Sequence, residues 1–342
     1  MNLRTAFSLV RSGQLASLVW VALAARAHYR LAFIAGGLSS GLFRKLVSGP
    51  VPMQTLADNL GLKPCMHEGL RAWLGLGVGL GELRSGPDGY TLRRRRTKAL
   101  LRPENDAVAA ILQEAAMLAG SFVSQGPSRF TANGNNQKLF TLADQSGPLT
   151  ARTSRVSELF IYEVLEPLVP KCGPFRLFEI GCGAAAYIRY AAEWNPDLMA
   201  LGLELQSDVA RLAAANISKW NLDGRVIIEE GDVMQTKAEP LYDLATLHQN
   251  IYYFPVEHRV DVLRHIRNFL KPTGRLLLTT CCQGGAAGAC LLDFWASMTE
   301  GCGRLPSTIE MAAQLHEAGF CDITQRKLIP GESFYAFVAT KR

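Results

Sequence analysis

The 342-residue chain is 48% hydrophobic and 19% charged, with 31 Gly and 16 Pro. That composition excludes a disordered chain, a collagen-like repeat and a coiled-coil rod, and the length suits two domains with a sizeable core. The net charge of +6 is uneven: residues 1–110 hold 15 Lys+Arg against 6 Asp+Glu, residues 111–342 hold 21 against 24. A basic first third raises nucleic-acid or membrane contact, set against the plainer reading of a solvated basic face. The eight cysteines show no CxxC spacing. They point to a reducing cytoplasm, without a disulfide framework or a metal site.

Arg4 and Arg11 precede the apolar run Leu15–Ala25, which imitates a secretory signal. Arg26, His28 and Arg30 then interrupt, before a second apolar run at Leu31–Leu42. Neither run reaches the about 18 residues of a membrane span, so two packed helices and no membrane partner are expected. A short helix at Gly41–Val47 is followed by a helix over Pro52–Leu60, a turn at 61–63 and a helix opened by Pro64. Leu80–Leu92 reads as two strands around a Gly/Pro/Asp turn, the wing of a winged helix. Residues 1–110 are therefore read as a helical, winged-helix dimerisation and lid domain, in a homodimer. Arg93–Arg96 would stand at the wing edge, but the helix from Pro64 offers only His67, Glu68 and Arg71 to a groove. A base-reading helix carries more. No nucleic-acid partner is expected, with a DNA-binding regulator that senses a cofactor as the alternative of another class.

Residues 111–170 read as a helical linker and pocket cap. Its polar stretch Ser124–Gln137 contains Phe130 and Asn133 as candidate substrate contacts, and Val156–Leu168 is an amphipathic helix. From 171 to 342 strands and helices alternate, which indicates a parallel α/β sheet. Phe175-Arg-Leu-Phe-Glu-Ile-Gly-Cys-Gly-Ala-Ala-Ala186 is an apolar strand that turns on Gly181 and Gly183 into a helix over Ala184–Trp194. Glycines there let a ligand approach backbone N–H groups at a helix start. A second strand, Met199–Glu204, ends on a carboxylate that can accept from two ribose hydroxyls. A third, Arg225–Glu229, leads to Asp232, placed to accept from an adenine amino group. A fourth, Tyr242–His248, runs into Gln249-Asn-Ile-Tyr-Tyr-Phe254, then a helix over Val256–Leu270 and a fifth strand, Arg275–Thr280.

With ExGxG, the acidic second-strand end, GDV, YDL…HxNxYYF, LKPTGRLLL and a terminal strand pair after helix Thr308–Ala318, the chain resembles the class I S-adenosylmethionine-dependent methyltransferases. Together with the winged-helix region and residues 292–320, it resembles the small-molecule O-methyltransferases over residues 40–342. The resemblance implies a doubly wound, seven-stranded Rossmann-like sheet and S-adenosyl-L-methionine as cofactor. It implies cofactor contacts at Glu179, Gly181, Gly183, Glu204, Leu205, Asp232 and Val233, with His248 and Gln249 lining the sulfonium side. The substrate implied is a small biosynthetic metabolite, met by Phe130, Asn133, Trp295 and Met298.

Enzymes of that kind commonly carry a His general base followed by Asp-Trp. Tyr252 stands at the His position here and Tyr253-Phe254 replace Asp-Trp, while His258 lies further on at a helix start. A phenol of pKa about 10 is a poor base at neutral pH. Catalysis by alignment is expected instead, with Tyr252 and Tyr253 on the sulfonium and Asn250 orienting the nucleophile. Two outcomes are open: methylation of N, O or C on a second molecule, or cyclisation of the cofactor's own arm to azetidine-2-carboxylate and methylthioadenosine.

Overall fold

The computed structural model describes residues 3–127, 130, 138, 140–141 and 147–342. The chain divides into two compact units, Met1–Ser124 and Gln125–Arg342. The division falls inside the 111–170 stretch read as a linker. Helix α7 (Asp106–Leu118) packs with α2 in the first unit.

In the first unit α1 (Leu3–Arg11) leads to α2 (Gln14–Ser39), a single helix of 26 residues where two were expected. The physical reason lies in spacing. Arg26 and Arg30, one turn apart, share a helix face, so they do not interrupt the helix. Arg26 donates to the Leu80 carbonyl at 3.3 Å, and Arg30 meets Glu82 at 2.5 Å. The merged helix is long and apolar enough to cross a membrane by length and composition, with mean hydropathy 1.3. Its C-terminal half instead enters the unit's core through Phe33, Ile34 and Ala35, and Phe33 stacks on Trp73 at 4.1 Å between ring centroids.

After α3 (Leu42–Leu46) come α4 (Met53–Asn59), a 3-10 turn at Pro64–Met66 and α5 (His67–Leu80). An antiparallel hairpin of β1 (Leu83–Gly86) and β2 (Gly89–Leu92) follows, so helix, turn, helix and wing are all present. The fixed φ of Pro64 opens the 3-10 turn rather than the helix itself. Leu70, Leu74, Gly77 and Leu80 form the buried face of α5, whereas Glu68 and Arg71 are exposed.

The second unit is built on a seven-stranded sheet in the order β5-β4-β3-β6-β7-β9-β8. The strands are β3 (Phe175–Ile180), β4 (Leu198–Glu204), β5 (Val226–Glu230), β6 (Tyr242–His248), β7 (Leu270–Cys281), β8 (Phe320–Lys327) and β9 (Phe334–Lys341). β3 to β7 are parallel, and β9 inserts antiparallel between β7 and β8. This is the doubly wound Rossmann-like sheet expected from the sequence. β7 is longer than expected, because Lys271-Pro-Thr-Gly274 belongs to it.

Strand alternation sorts the side chains to two faces. Leu177, Leu244 and Leu277 lie on one face with Ile188 and Ala213 from helices α10 (Ala186–Trp194) and α11 (Ser207–Lys219). Phe178, Leu247 and Leu278 lie on the other with Leu263 and Ile266 of α12 (Arg259–Phe269) and Met311 of α14 (Thr308–Glu317). Before the sheet lie α8 (Gly147–Ser154) and α9 (Glu158–Leu165); α13 (Ala287–Met298) follows β7. In open sheets of this type ligands bind beyond the C-terminal strand ends where strand order reverses. Here that place is the β3/β6 boundary.

Candidate active site at the C-terminal strand ends

At the end of β3 the chain turns through Gly181 (φ 64), Gly183 (φ 54) and Ala185 (φ 62), three left-handed residues before α10. The Gly181 and Cys182 N–H groups donate to the Leu203 carbonyl at 2.8 and 3.1 Å, which seats the loop against β4. Glu204, 9% exposed, accepts from Gly183 N–H on Oε2 at 2.9 Å and from Gln206 N–H on Oε1 at 3.1 Å. The carboxylate is thereby locked in orientation, and each oxygen keeps lone-pair capacity for a hydroxyl. At Gly183 the space a side chain would fill is open.

Gly231 N–H donates to the Glu204 carbonyl, so the ends of β4 and β5 adjoin and Asp232 is the next residue after that contact. Asp232 accepts from Met234 N–H at 2.9 Å and from the Gln235 amide at 3.4 Å, which folds its carboxylate over its own turn. Val233 differs from its expected place at the ligand: its side chain is 4% exposed and packed into the core, leaving only its backbone to a ligand. Leu205 is exposed at the strand end.

Beneath the loop is a buried polar layer. Glu179 pairs in register with Thr246, and His248 with Thr279, on the face that α9 and α10 cover. His248 Nδ1 lies 3.0 Å from Thr279 Oγ1, and its ring packs on Tyr187 at 4.5 Å. Glu179 Oε2 and His248 Nε2 are buried without a protein partner. Burial pushes the Glu179 carboxyl up, with the nearby Glu204 charge adding to it, and pushes His248 down to about 3. His248 is therefore neutral around pH 7.

Gln249 takes a left-handed backbone (φ 56) and its side-chain amide donates to Ser157 Oγ at 2.8 Å. Ser157 also bonds Tyr187. Neither Ser157 nor Tyr187 belongs to a sequence motif: they come from the 3-10 turn Arg155–Ser157 before α9 and from α10.

Asn250 is used differently from expectation. Its side-chain amide donates to the carbonyls of Ile180 at 3.0 Å and Gly181 at 3.2 Å, so it latches the glycine loop from β6 and does not turn outward to a nucleophile. Tyr252 is 6% exposed, its ring centroid 5.0 Å from that of Tyr253. Trp295 on α13 stands edge-on to both, at 6.5 and 5.8 Å. At 3% exposure Trp295 is a packed wall behind the tyrosines. Met298 is half-buried, and its carbonyl accepts from Phe140 N–H. Phe130 is exposed, edge-on to Phe294 at 6.0 Å. Asn133 lies outside the described residues. His258 is exposed at the start of α12. Among the described residues, no group of three or more His, Cys, Asp or Glu could hold a metal ion.

Residues 178–276 match the family described as methyltransferase domain. No curated protein matches the sequence. Among solved structures the chain is similar to a mitomycin 7-O-methyltransferase (20% identity, 96% of this chain and 99% of that one, TM-score 0.76). It is also similar to an O-methyltransferase family protein from Burkholderia thailandensis (16%, 96% and 98%, TM-score 0.72) and to human N-acetylserotonin methyltransferase solved with S-adenosylmethionine (16%, 96% and 98%, TM-score 0.69). Residues 178–276 thus carry a methyltransferase domain, on a fold shared with a methyltransferase solved with S-adenosylmethionine. The residues present fit that group: an oriented acidic strand end at Glu204, a glycine loop with open space at Gly183, and unpartnered buried polar atoms on Glu179 and His248.

One consequence is measurable through pH. His248 stays neutral in the fold while the unfolded chain takes up a proton below about pH 6.5, so its stabilising share is lost as pH falls from there toward its depressed value. Between pH 7 and pH 5 this costs the second unit about 2 kcal/mol. Denaturant titrations should show that extra loss in the wild-type protein and not in a His248→Asn variant. Equal slopes in the two proteins would exclude a neutral, buried His248. Glu179 acts in the opposite sense: its raised value is stabilising below the unfolded carboxyl range and loses that share as pH rises.

Proposed function

We propose that the protein transfers the methyl group of S-adenosylmethionine to a small biosynthetic metabolite, at N, O or C, without a histidine general base. The observation that carries this reading is the end of β6. The histidine there, His248, is buried and held neutral, and the residues that follow it are the aromatic pair Tyr252–Tyr253 backed by Trp295. When bound, the cofactor supplies an electrophilic methyl on a sulfonium leaving group. Tyr252 and Tyr253 offer ring faces to a cation. A nucleophile with a free lone pair needs alignment more than deprotonation, and alignment is worth about 7–11 kcal/mol. The O-methyltransferases to which the fold is similar support a small-molecule acceptor.

Tyr252→Phe should lower turnover about tenfold or more and leave S-adenosylhomocysteine affinity within about twofold, since the lost contact acts in the transition state. His258→Ala should leave both unchanged. Turnover abolished by His258→Ala would return the base to an imidazole. The deciding experiment incubates the protein with S-adenosylmethionine, alone and with candidate metabolites, and identifies products by mass spectrometry. S-Adenosylhomocysteine formed only with an added acceptor supports methyl transfer. Methylthioadenosine from the cofactor alone would replace it with cyclisation to azetidine-2-carboxylate.

The same proposal includes a homodimer in the cytoplasm, with neither a nucleic acid nor a membrane as partner. Phe7, Leu18, Trp20, Leu23 and Tyr29 are exposed along α1 and α2, an apolar surface suited to a second copy of the chain. Light scattering that returns a monomer would remove the dimer. Salt-sensitive nanomolar binding to a DNA duplex would favour the regulator alternative.

A further inference from the structure

Arg259 is wholly buried at the first turn of α12, and among the described residues it stands in no ion pair within 4.0 Å. A buried guanidinium is costly unless its hydrogen bonds serve a defined arrangement. Its Nε donates to the Phe254 carbonyl at 3.2 Å and its Nη2 to the Arg304 carbonyl at 2.6 Å. The first acceptor closes the Ile251–Tyr253 turn; the second belongs to the loop between α13 and α14.

That loop is tied at both ends. Arg304 makes a two-point pair with Glu310 at 2.7 and 2.8 Å, and Glu310 belongs to the Ser307 capping box of α14. Leu305 N–H donates to Asp293 on α13, the helix that carries Trp295. Between the two acceptors Gly303 N–H donates to the Tyr252 carbonyl at 3.0 Å. A Cβ at Gly303 would lie 2.9 Å from Arg259 Nη2 and from the Phe254 carbonyl oxygen, so backbone and guanidinium fill the space completely. Glu310, Asp293 and Glu257 carry the opposite charges closest in effect, and Arg304 the like charge.

We propose that Arg259 is a positioning residue for the reaction: it holds the Tyr252–Tyr253 turn and the 302–305 loop as one rigid body, and so fixes the aromatic pair against Trp295. The inference rests on the role given to Tyr252 and Tyr253 above. The side chain itself touches neither cofactor nor substrate; it acts through two carbonyls. Lysine reaches one carbonyl at a time, whereas the guanidinium fork spans both.

The test uses the full chain carrying Arg259→Lys, with Gly303→Ala as a second variant that disturbs the same contact from the loop side. Amide hydrogen exchange is followed with S-adenosylhomocysteine as the probe ligand. Protection at Ile251–Phe254 and at Gly303–Leu305 should fall together, by about tenfold or more. Protection in β3, β6 and α10, and the affinity for S-adenosylhomocysteine, should stay within about twofold. With an acceptor in hand, turnover should fall about tenfold at unchanged KM for S-adenosylmethionine. The Arg259→Lys/Tyr252→Phe double variant should then be no slower than the slower single variant. Loosening of one segment alone, loosening spread over the whole unit, or additive losses in the double variant would each overturn the proposal. Wild-type turnover in Tyr252→Phe, with the paired loosening intact, would refute the role of Tyr252 and leave the mechanical coupling standing.

Discussion

Replacing Glu82 with alanine should unfold the N-terminal unit several kilocalories per mole more easily than the wild type. The carboxylate has no exposed surface. Arg30 Nε lies 2.5 Å from Oε1, Arg94 Nε lies 3.7 Å from the same oxygen, and Thr97 Oγ1 donates to Oε2 at 2.5 Å. Its backbone is used as well: Glu82 N–H donates to the Gly77 carbonyl at the end of α5, and Arg93 N–H donates to the Glu82 carbonyl. One residue thus ties α2, α5, the wing and the short helix α6 (Arg95–Ala99) together.

Removing one partner from a buried charge arrangement costs about 3–5 kcal/mol. The lower end applies here, because Arg30 and Arg94 are 39% and 46% exposed and return partly to water when released. A loss of about 3 kcal/mol is a large fraction of the 5–15 kcal/mol that holds a typical domain. Denaturant unfolding should show a separate, earlier transition for the first unit with the second unit's transition unmoved. Coincident transitions at the wild-type midpoint would contradict it. The same contacts bear on the basic run at Arg93–Arg96: Arg94 turns inward to Glu82 and the Gly81 carbonyl, which removes one of the four cations a phosphate-binding edge would have used.

The sheet and the cofactor end of the site were legible because they rest on local pattern. Apolar strands ending in glycine or a carboxylate announce themselves in order, and Glu204 lies where a parallel sheet must bring it, beside Gly183. What escaped the sequence depends on pairings across long separations. Arg26 and Arg30 read as a break between helices, and only Glu82 and the Leu80 carbonyl, more than fifty residues on, show them to be one helix's inner face. Val233 carries a motif position yet faces the core, since a motif records a backbone path and not a side-chain direction. Arg259 did leave a signal: it heads the stripe Arg259, Val262, Leu263, Ile266 that forms the buried face of α12. A charge at the head of an apolar stripe marks either an error of register or a buried partner, and here the partners are two carbonyls.

The glycine loop should be the most sensitive point of the cofactor site, and Asn250 is the handle on it. The Asn250 amide donates to the Ile180 and Gly181 carbonyls while Leu203 holds the loop's N–H groups from the other side. The fit leaves no slack, since a Cβ on Gly181 would lie 2.2 Å from Asn250 Nδ2, at a φ of +64. Asn250→Ala removes two neutral hydrogen bonds, each worth about 0.5–1.5 kcal/mol, and should weaken S-adenosylhomocysteine about tenfold. Asn250→Asp is more severe. It sets a carboxylate against two carbonyl oxygens in a partly buried position, so the ionised form loses both bonds and is repelled by both acceptors, and affinity at pH 8 should fall about a hundredfold. Partial burial beside two acceptors favours the protonated carboxyl, whose O–H restores one of the two bonds, so its pKa in the folded protein rises. Affinity is therefore present below that raised value and lost as pH climbs through it, and calorimetry at pH 5.5 should recover the Asn250→Asp variant toward the level of Asn250→Ala. The alanine variant should show no such pH response. If the two variants bind S-adenosylhomocysteine equally at both pH values, the loop is not held through Asn250, and the expectation that this side chain orients the nucleophile returns in its place.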